Sequence, residues 1–168
     1  MVKLFIAFAF MAIVAVGYSK ECCSAEDKQS VSSQWHDLWT ATNGGGRVKI
    51  ATDVFTRFFA KNPEARALFK NVRGDDFNHP EWVAHTVRIM NGFDLCINNL
   101  EDTKLFNQVV GHLSSQHVAR IADGFDPNYF DLFKEPLGET LESVISGFNA
   151  IAWDNCYNRI SEGLKSNF

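Results

Sequence analysis

From residue 24 to the end of the chain, apolar side chains recur every three or four positions, and nowhere do they alternate over the length of a strand. That period matches the 3.6-residue turn of an α-helix and excludes a half-buried sheet as the organising element. Ser24, with Asp27 three residues on, reads as an N-cap, followed by Val31, Trp35, Leu38, Trp39 and Thr42 at helical spacing. The run Asn43-Gly44-Gly45-Gly46 is expected to end this helix, and a second begins at Arg47 with Ala51, Val54, Phe55, Phe58 and Phe59 on one stripe. That helix stops near Asn62-Pro63, where Asn62 is expected to cap a short turn through Phe69, and Gly74-Asp75-Asp76 marks a loop. A long helix follows Asn78-His79-Pro80 and reaches about Asn99, with Trp82, His85, Ile89, Phe93, Cys96 and Leu100 tracking one broad face. Phe106, Val110, Leu113 and His117 define the next helix. Asp126-Pro127 opens another, carrying Phe130, Phe133, Leu137, Leu141, Val144, Ile145 and Phe148, and the last carries Trp153, Cys156, Ile160 and Leu164. One all-α domain over residues 20–168 is the expectation.

The first 19 residues stand apart. Lys3 precedes an apolar run from Leu4 to Val16 and small residues at Gly17 and Ser19, the pattern of a secretory signal peptide cleaved after Ser19. The run is shorter than the roughly 20 residues needed to cross a bilayer, so no membrane partner is expected. Removing Lys3 takes the formal charge from −4 to −5, a mildly acidic balance that keeps an exported protein soluble and argues against nucleic acid as a partner. In an oxidising compartment the four cysteines, Cys22, Cys23, Cys96 and Cys156, are expected to include disulfides. Adjacent Cα atoms lie about 3.8 Å apart, closer than a disulfide usually spans. Cys22 and Cys23 should therefore have different partners.

Two histidines lie on otherwise apolar stripes. His117 follows Leu113 by one turn and His85 precedes Ile89 by one turn, so each imidazole projects coreward beside a bulky apolar neighbour. On that pattern alone a hydrogen-bonded core histidine and a ligand are both open. There are 15 phenylalanines in 168 residues, which suits either a well-packed core or a large planar cofactor.

Three stretches bring a specific resemblance. The first is Asn62-Pro63-Glu64-Ala65-Arg66-Ala67-Leu68-Phe69 with Val72-Arg73-Gly74-Asp75-Asp76 and His79-Pro80-Glu81-Trp82-Val83-Ala84-His85. The second is Val87-Arg88-Ile89-Met90-Asn91-Gly92-Phe93-Asp94-Leu95, and the third joins Gly111-His112-Leu113-Ser114-Ser115-Gln116-His117 to Ala152-Trp153-Asp154-Asn155-Cys156. In order and spacing the set resembles the extracellular haemoglobin subunits of annelids and their tubeworm relatives, over essentially the whole chain after the signal. The resemblance implies a globin fold, a three-over-three helical sandwich around haem b (iron protoporphyrin IX). It puts the proximal iron ligand on His117, with Leu113 under the ring and a backbone carbonyl fixing the tautomer, and the distal, oxygen-steadying position on His85. It makes Phe69 the residue wedged against the porphyrin, lets Ile89 and Phe55 close the distal pocket, and sets Arg88 either toward a haem propionate or into solvent. Two features depart from the pattern. The turn Ile121-Ala122-Asp123-Gly124-Phe125 is about two residues longer, which puts Phe125 as a haem contact in question, and Pro136 is expected to kink or split its helix.

The same resemblance pairs Cys23 with Cys156 inside the chain and leaves Cys22 to bond another globin chain. A large assembly follows, with non-covalent contacts between globin chains and non-globin linker chains as further partners. For Cys96 two accounts stand: a small buried core residue, or the free cysteine that some of these haemoglobins carry and that has been linked with reversible binding of hydrogen sulfide. The implied function is reversible dioxygen transport in blood or coelomic fluid, without catalysis. A haem peroxidase-like enzyme is the alternative, weakened because no arginine is placed beside the distal histidine.

Overall fold

The computed structural model describes residues 23–168, so the expected signal peptide and the interchain role of Cys22 lie outside the described residues. Among the described residues there are six α-helices, two 3-10 segments and no strand. Helix α1 spans Ala25–Ala41 and opens with a capping box: the Asp27 amide donates to Ser24 Oγ at 3.1 Å and the Ser24 amide to Asp27 Oδ2 at 3.0 Å. Helix α2 is Gly44–Lys61, three residues longer at its start than the glycine run suggested. The reason is local. Asn43 Oδ1 accepts the Gly46 amide at 2.9 Å, so the asparagine caps α2 and the three glycines form its first turn. Gly46 also packs so close to Thr42 that a Cβ there would sit 2.5 Å from its Cγ2. The corner is locked by the Arg47 guanidinium, which lies 3.8 Å over the Trp39 ring and donates to the Trp39 carbonyl at 2.7 Å.

After α2 the chain runs as a 3-10 segment, Pro63–Val72. Asn62 does not cap it as expected: its side-chain amide turns back and donates to the Phe58 carbonyl at 3.2 Å, satisfying the end of α2. Gly74 follows, with its amide on the Phe69 carbonyl at 2.9 Å. A Cβ on Gly74 would lie 2.6 Å from that of Phe69 and 3.2 Å from the Trp82 ring, so only glycine lets this loop close over the aromatic core. Helix α3 (Pro80–Asn98) starts with proline in its first turn, and α4 is Thr103–Val118, capped by Asp102. A second 3-10 segment, Ile121–Asp123, ends on Gly124 at φ 92° and leads to α5, Asn128–Val144.

Pro136 does not split α5. The helix runs through it, with Thr140 Oγ1 donating to the Pro136 carbonyl at 2.9 Å. The carbonyl deprived of an amide belongs to Leu132, a residue on the exposed side, where water can substitute. Helix α6, Ala150–Leu164, follows the Asn149 cap.

Helix α6 packs on α1, α4 and α5, while α2 packs on α3 and α5, and α3 meets α4. Two apolar clusters result. One joins Trp35, Ile97, Leu100, Phe106, Leu141 and Ile160; the other is almost wholly aromatic, with Phe55, Phe58, Phe59 and Trp82 buried and Phe69, Phe77 and Phe133 against them. Each fully buried large side chain contributes on the order of 1.5–3 kcal/mol, so these clusters hold the helices in place. A disulfide joins Cys23 to Cys156 and fixes the start of α1 against α6.

Candidate functional site

Helices α3 and α4, which pack on each other, each carry one part-buried histidine. On α4, His117 Nδ1 lies 2.8 Å from the Leu113 carbonyl one turn back. A carbonyl can only accept, so Nδ1 carries the proton and the lone pair is on Nε2. The ring is held from the side by Phe130, edge-on at 4.8 Å between centroids, and by Phe125 at 5.3 Å. On α3, His85 packs against Phe69 at 5.6 Å and Trp82 at 6.0 Å, and its Nε2 is buried without a hydrogen-bond partner.

Both imidazoles are neutral at physiological pH. Burial pushes the His85 pKa down to about 4, and the positive charges of Arg88 and Arg120 act in the same direction, as does His117 once it is protonated. Burial also lowers the His117 pKa, against the opposing effect of its hydrogen bond to Leu113, with Arg120 adding a smaller push downward. Phe55, 3 % exposed, packs its ring on Phe59, Phe69, Trp82 and Phe133. Ile89 packs on the same aromatic cluster, and Leu113 lies on the other cluster, with its Cδ2 4.0 Å from where a Cβ on Gly92 would stand. Phe125 therefore stands beside His117 despite the longer turn, whereas Arg88 is exposed on α3.

The donor set limits what the site can hold. Among the described residues no group of three or more His, Cys, Asp or Glu could by itself hold a metal ion. Two neutral imidazoles with aromatic and aliphatic walls cannot complete the shell of a bare ion, but they suit an iron whose remaining ligands come from a flat macrocycle. The unpartnered Nε2 of His85 points to the same fit, since a buried polar nitrogen without a partner is costly unless a bound group satisfies it. Cys96, which is unpaired, is outside this space: it is 1 % exposed within the cluster around Trp35, and burial pushes its thiol up to about 12. An open apolar cleft of about 350 Å³ lies elsewhere, lined by Leu137, Leu141, Phe148, Trp153 and Tyr157 among others, and contains no histidine.

Spacing along the chain singled out His85, His117 and their apolar neighbours. It missed Phe130, 13 positions after His117 on the next helix, and gave Trp82 only a core role. No local signal marks Phe130, because its contact exists only once the tertiary fold brings the start of α5 beside the end of α4.

An all-helical domain that sets two part-buried histidines, on the packed helices α3 and α4, each against aromatic rings fits the class of helical haem proteins. The globin family profile matches residues 52–164, and the chain belongs to the globin family. It is 37 % identical over 141 residues to extracellular globin-4 of Lumbricus terrestris, spanning 84 % of this chain and 92 % of that protein. With extracellular globin-3 of the same worm it shares 32 % identity over 169 residues, 99 % of this chain and 98 % of that one, and with extracellular globin-2 32 % over 148 residues, 87 % and 98 %.

Proposed function

We propose that this globin is an extracellular oxygen carrier, a subunit of a multi-chain haemoglobin, with haem b held by His117. The observation that carries this reading is the hydrogen bond from His117 Nδ1–H to the Leu113 carbonyl, which commits one ring nitrogen and leaves the lone pair of the other to bind iron. Haem supplies a ferrous iron that takes up dioxygen reversibly. The protein's part is to bind, orient and exclude water. The Leu113 carbonyl fixes the tautomer of His117, and Phe125 and Phe130 hold its ring plane. Across the pocket His85, neutral because it is buried, offers an N–H to a partly anionic oxygen atom without competing as a second charged group. Phe55, Phe69 and Ile89 would keep the distal side apolar and exclude water from it. Arg88, exposed on α3, would pair with a haem propionate.

The relatives are named extracellular globins, which supports secretion into blood or coelomic fluid. Within the assembly Cys22 bonds a neighbouring globin chain. Two observations weigh on the other readings. A peroxidase needs a cation within the distal pocket, whereas Arg88 and Arg120 are both exposed. Sulfide chemistry needs a reachable thiolate, and the buried, neutral Cys96 thiol favours a packing role.

Visible absorption spectra of the secreted protein, deoxygenated and then exposed to air, test the proposal together with His117→Ala. Reversible deoxy and oxy bands are expected for the wild-type protein and loss of the normal five-coordinate ferrous spectrum for the variant. A variant that keeps that spectrum removes His117 as the ligand.

A further inference from the structure

The last helix and the residues just after it reach both walls of the proximal histidine. Tyr157, 6 % exposed on α6, donates its hydroxyl to the Phe130 carbonyl at 2.6 Å. Phe130 is the residue whose ring meets His117 edge-on at 4.8 Å. Its neighbour Asp131 accepts from Ser161 Oγ at 2.7 Å and from Lys165 Nζ at 2.8 Å, so α6 grips two consecutive residues in the first turn of α5. The first amides of that turn are capped from Asp126, whose Oδ1 accepts the Asn128 amide at 2.8 Å and whose carbonyl accepts the Tyr129 amide at 2.9 Å, so the contacts from α6 add a tertiary anchor to a turn already closed locally. On the other wall Asn167 donates through Nδ2 to the Gly111 carbonyl at 2.9 Å and to Ser115 Oγ at 2.8 Å, and through its amide to Ser114 Oγ at 3.1 Å. These three acceptors lie on α4 within the two turns before His117.

We propose that Tyr157 is a positioning residue for His117: its hydroxyl fixes the backbone of Phe130, the Phe130 ring sets the plane of the imidazole, and Asn167 holds the opposite side of the same frame on α4. A plain packing role for Tyr157 would be met by its ring alone. The hydroxyl instead seeks a carbonyl already inside a helix, using that oxygen's second lone pair. A rotated imidazole changes how its Nε2 meets an iron, so the rotation is felt as a change in ligand release. The proposal rests on the haem-ligand reading of His117, but its geometric part is independent of it.

The test compares Tyr157→Phe, which keeps the ring, and Asn167→Ala with the wild-type chain. In haem-free protein, NMR of labelled histidine should show the His117 ring resonances shifted and its contacts to the Phe130 ring weakened, with His85 unchanged. In the haem-loaded protein the iron–imidazole stretching band should move and the dioxygen dissociation rate should change about three- to tenfold, the range that loss of one ordinary hydrogen bond spans. If Tyr157→Phe lowers stability but leaves the His117 resonances, the stretching band and the dissociation rate at wild-type values, Tyr157 is structural only and the proposal is overturned. Should Tyr157→Phe not fold, Phe130→Leu, which leaves the backbone bond in place and removes the ring, must produce the same shifts, and unchanged shifts overturn it equally. If His117→Ala shows that His117 is not the ligand, the NMR comparison still decides whether Tyr157 sets its ring.

Discussion

Removing the Cys23–Cys156 disulfide should destabilise the fold strongly without dismantling the pocket. The perturbation is Cys23→Ser with Cys156→Ser, made in a Cys22→Ser background so that the buried Cys96 is the one thiol left. The bridge closes a sequence separation of 133 residues, for which the chain-entropy relation gives about 5 kcal/mol of stabilisation. Cys23 itself sits at φ 71°, a left-handed conformation that costs a non-glycine residue roughly 1 kcal/mol and is released in the variant. The net loss is about 4 kcal/mol. With a guanidinium slope of about 4 kcal/mol per molar, the unfolding midpoint should fall by about 1 M, measured by far-ultraviolet circular dichroism on haem-free protein to keep the transition simple. The folded geometry should survive, because α1 and α6 stay joined by Asn155 Nδ2 on Asp27 at 3.0 Å and by Trp153 Nε1 on Gln34 at 2.8 Å. Helix content and haem spectra should therefore match the parent. A midpoint change under about 0.2 M would refute the entropic reasoning, since it would mean that the unfolded chain already keeps these ends together.

Two other outcomes follow from the structure. Gly163→Ala should cost about 1–3 kcal/mol in chemical denaturation, since its Cβ would lie 2.5 Å from Val110 Cγ2 at the α4–α6 crossing; an unchanged midpoint would show that the helices separate freely there. Acid should destabilise the haem-free fold through His85. Its folded pKa of about 4 lies below the ordinary 6.5, so the unfolded chain binds more protons, and the contribution present above pH 6.5 is lost as pH falls toward 4. That loss is at most about 3 kcal/mol and roughly half that after screening at a partly exposed ring, and His85→Leu should flatten this part of a stability-against-pH curve.

Much of the fold is written in local chemistry. Ser24 with Asp27, and Pro80 in the first turn of α3, mark helix starts that depend on nothing beyond a few neighbouring residues. The apolar period aims His85 and His117 coreward for the same reason, since a helix of fixed pitch decides which side chains share a face. Where a residue had two partners to choose between, local reading failed. Asn62 could have capped the next segment but closes α2, the glycines after Asn43 open a helix as readily as they end one, and Pro136 is tolerated because the carbonyl it orphans lies on the exposed side.

The sequence by itself thus determined the helices and the two histidines that point inward. Only the tertiary structure decided that His117 is flanked by Phe125 and Phe130, that His85 Nε2 is left without a protein partner, and that Tyr157 reaches the carbonyl behind the imidazole. The division has a physical cause. Helical register is set by bonds four residues apart, whereas the environment of a ligand is set by side chains that meet only after distant helices have packed, and no spacing along the chain encodes that meeting.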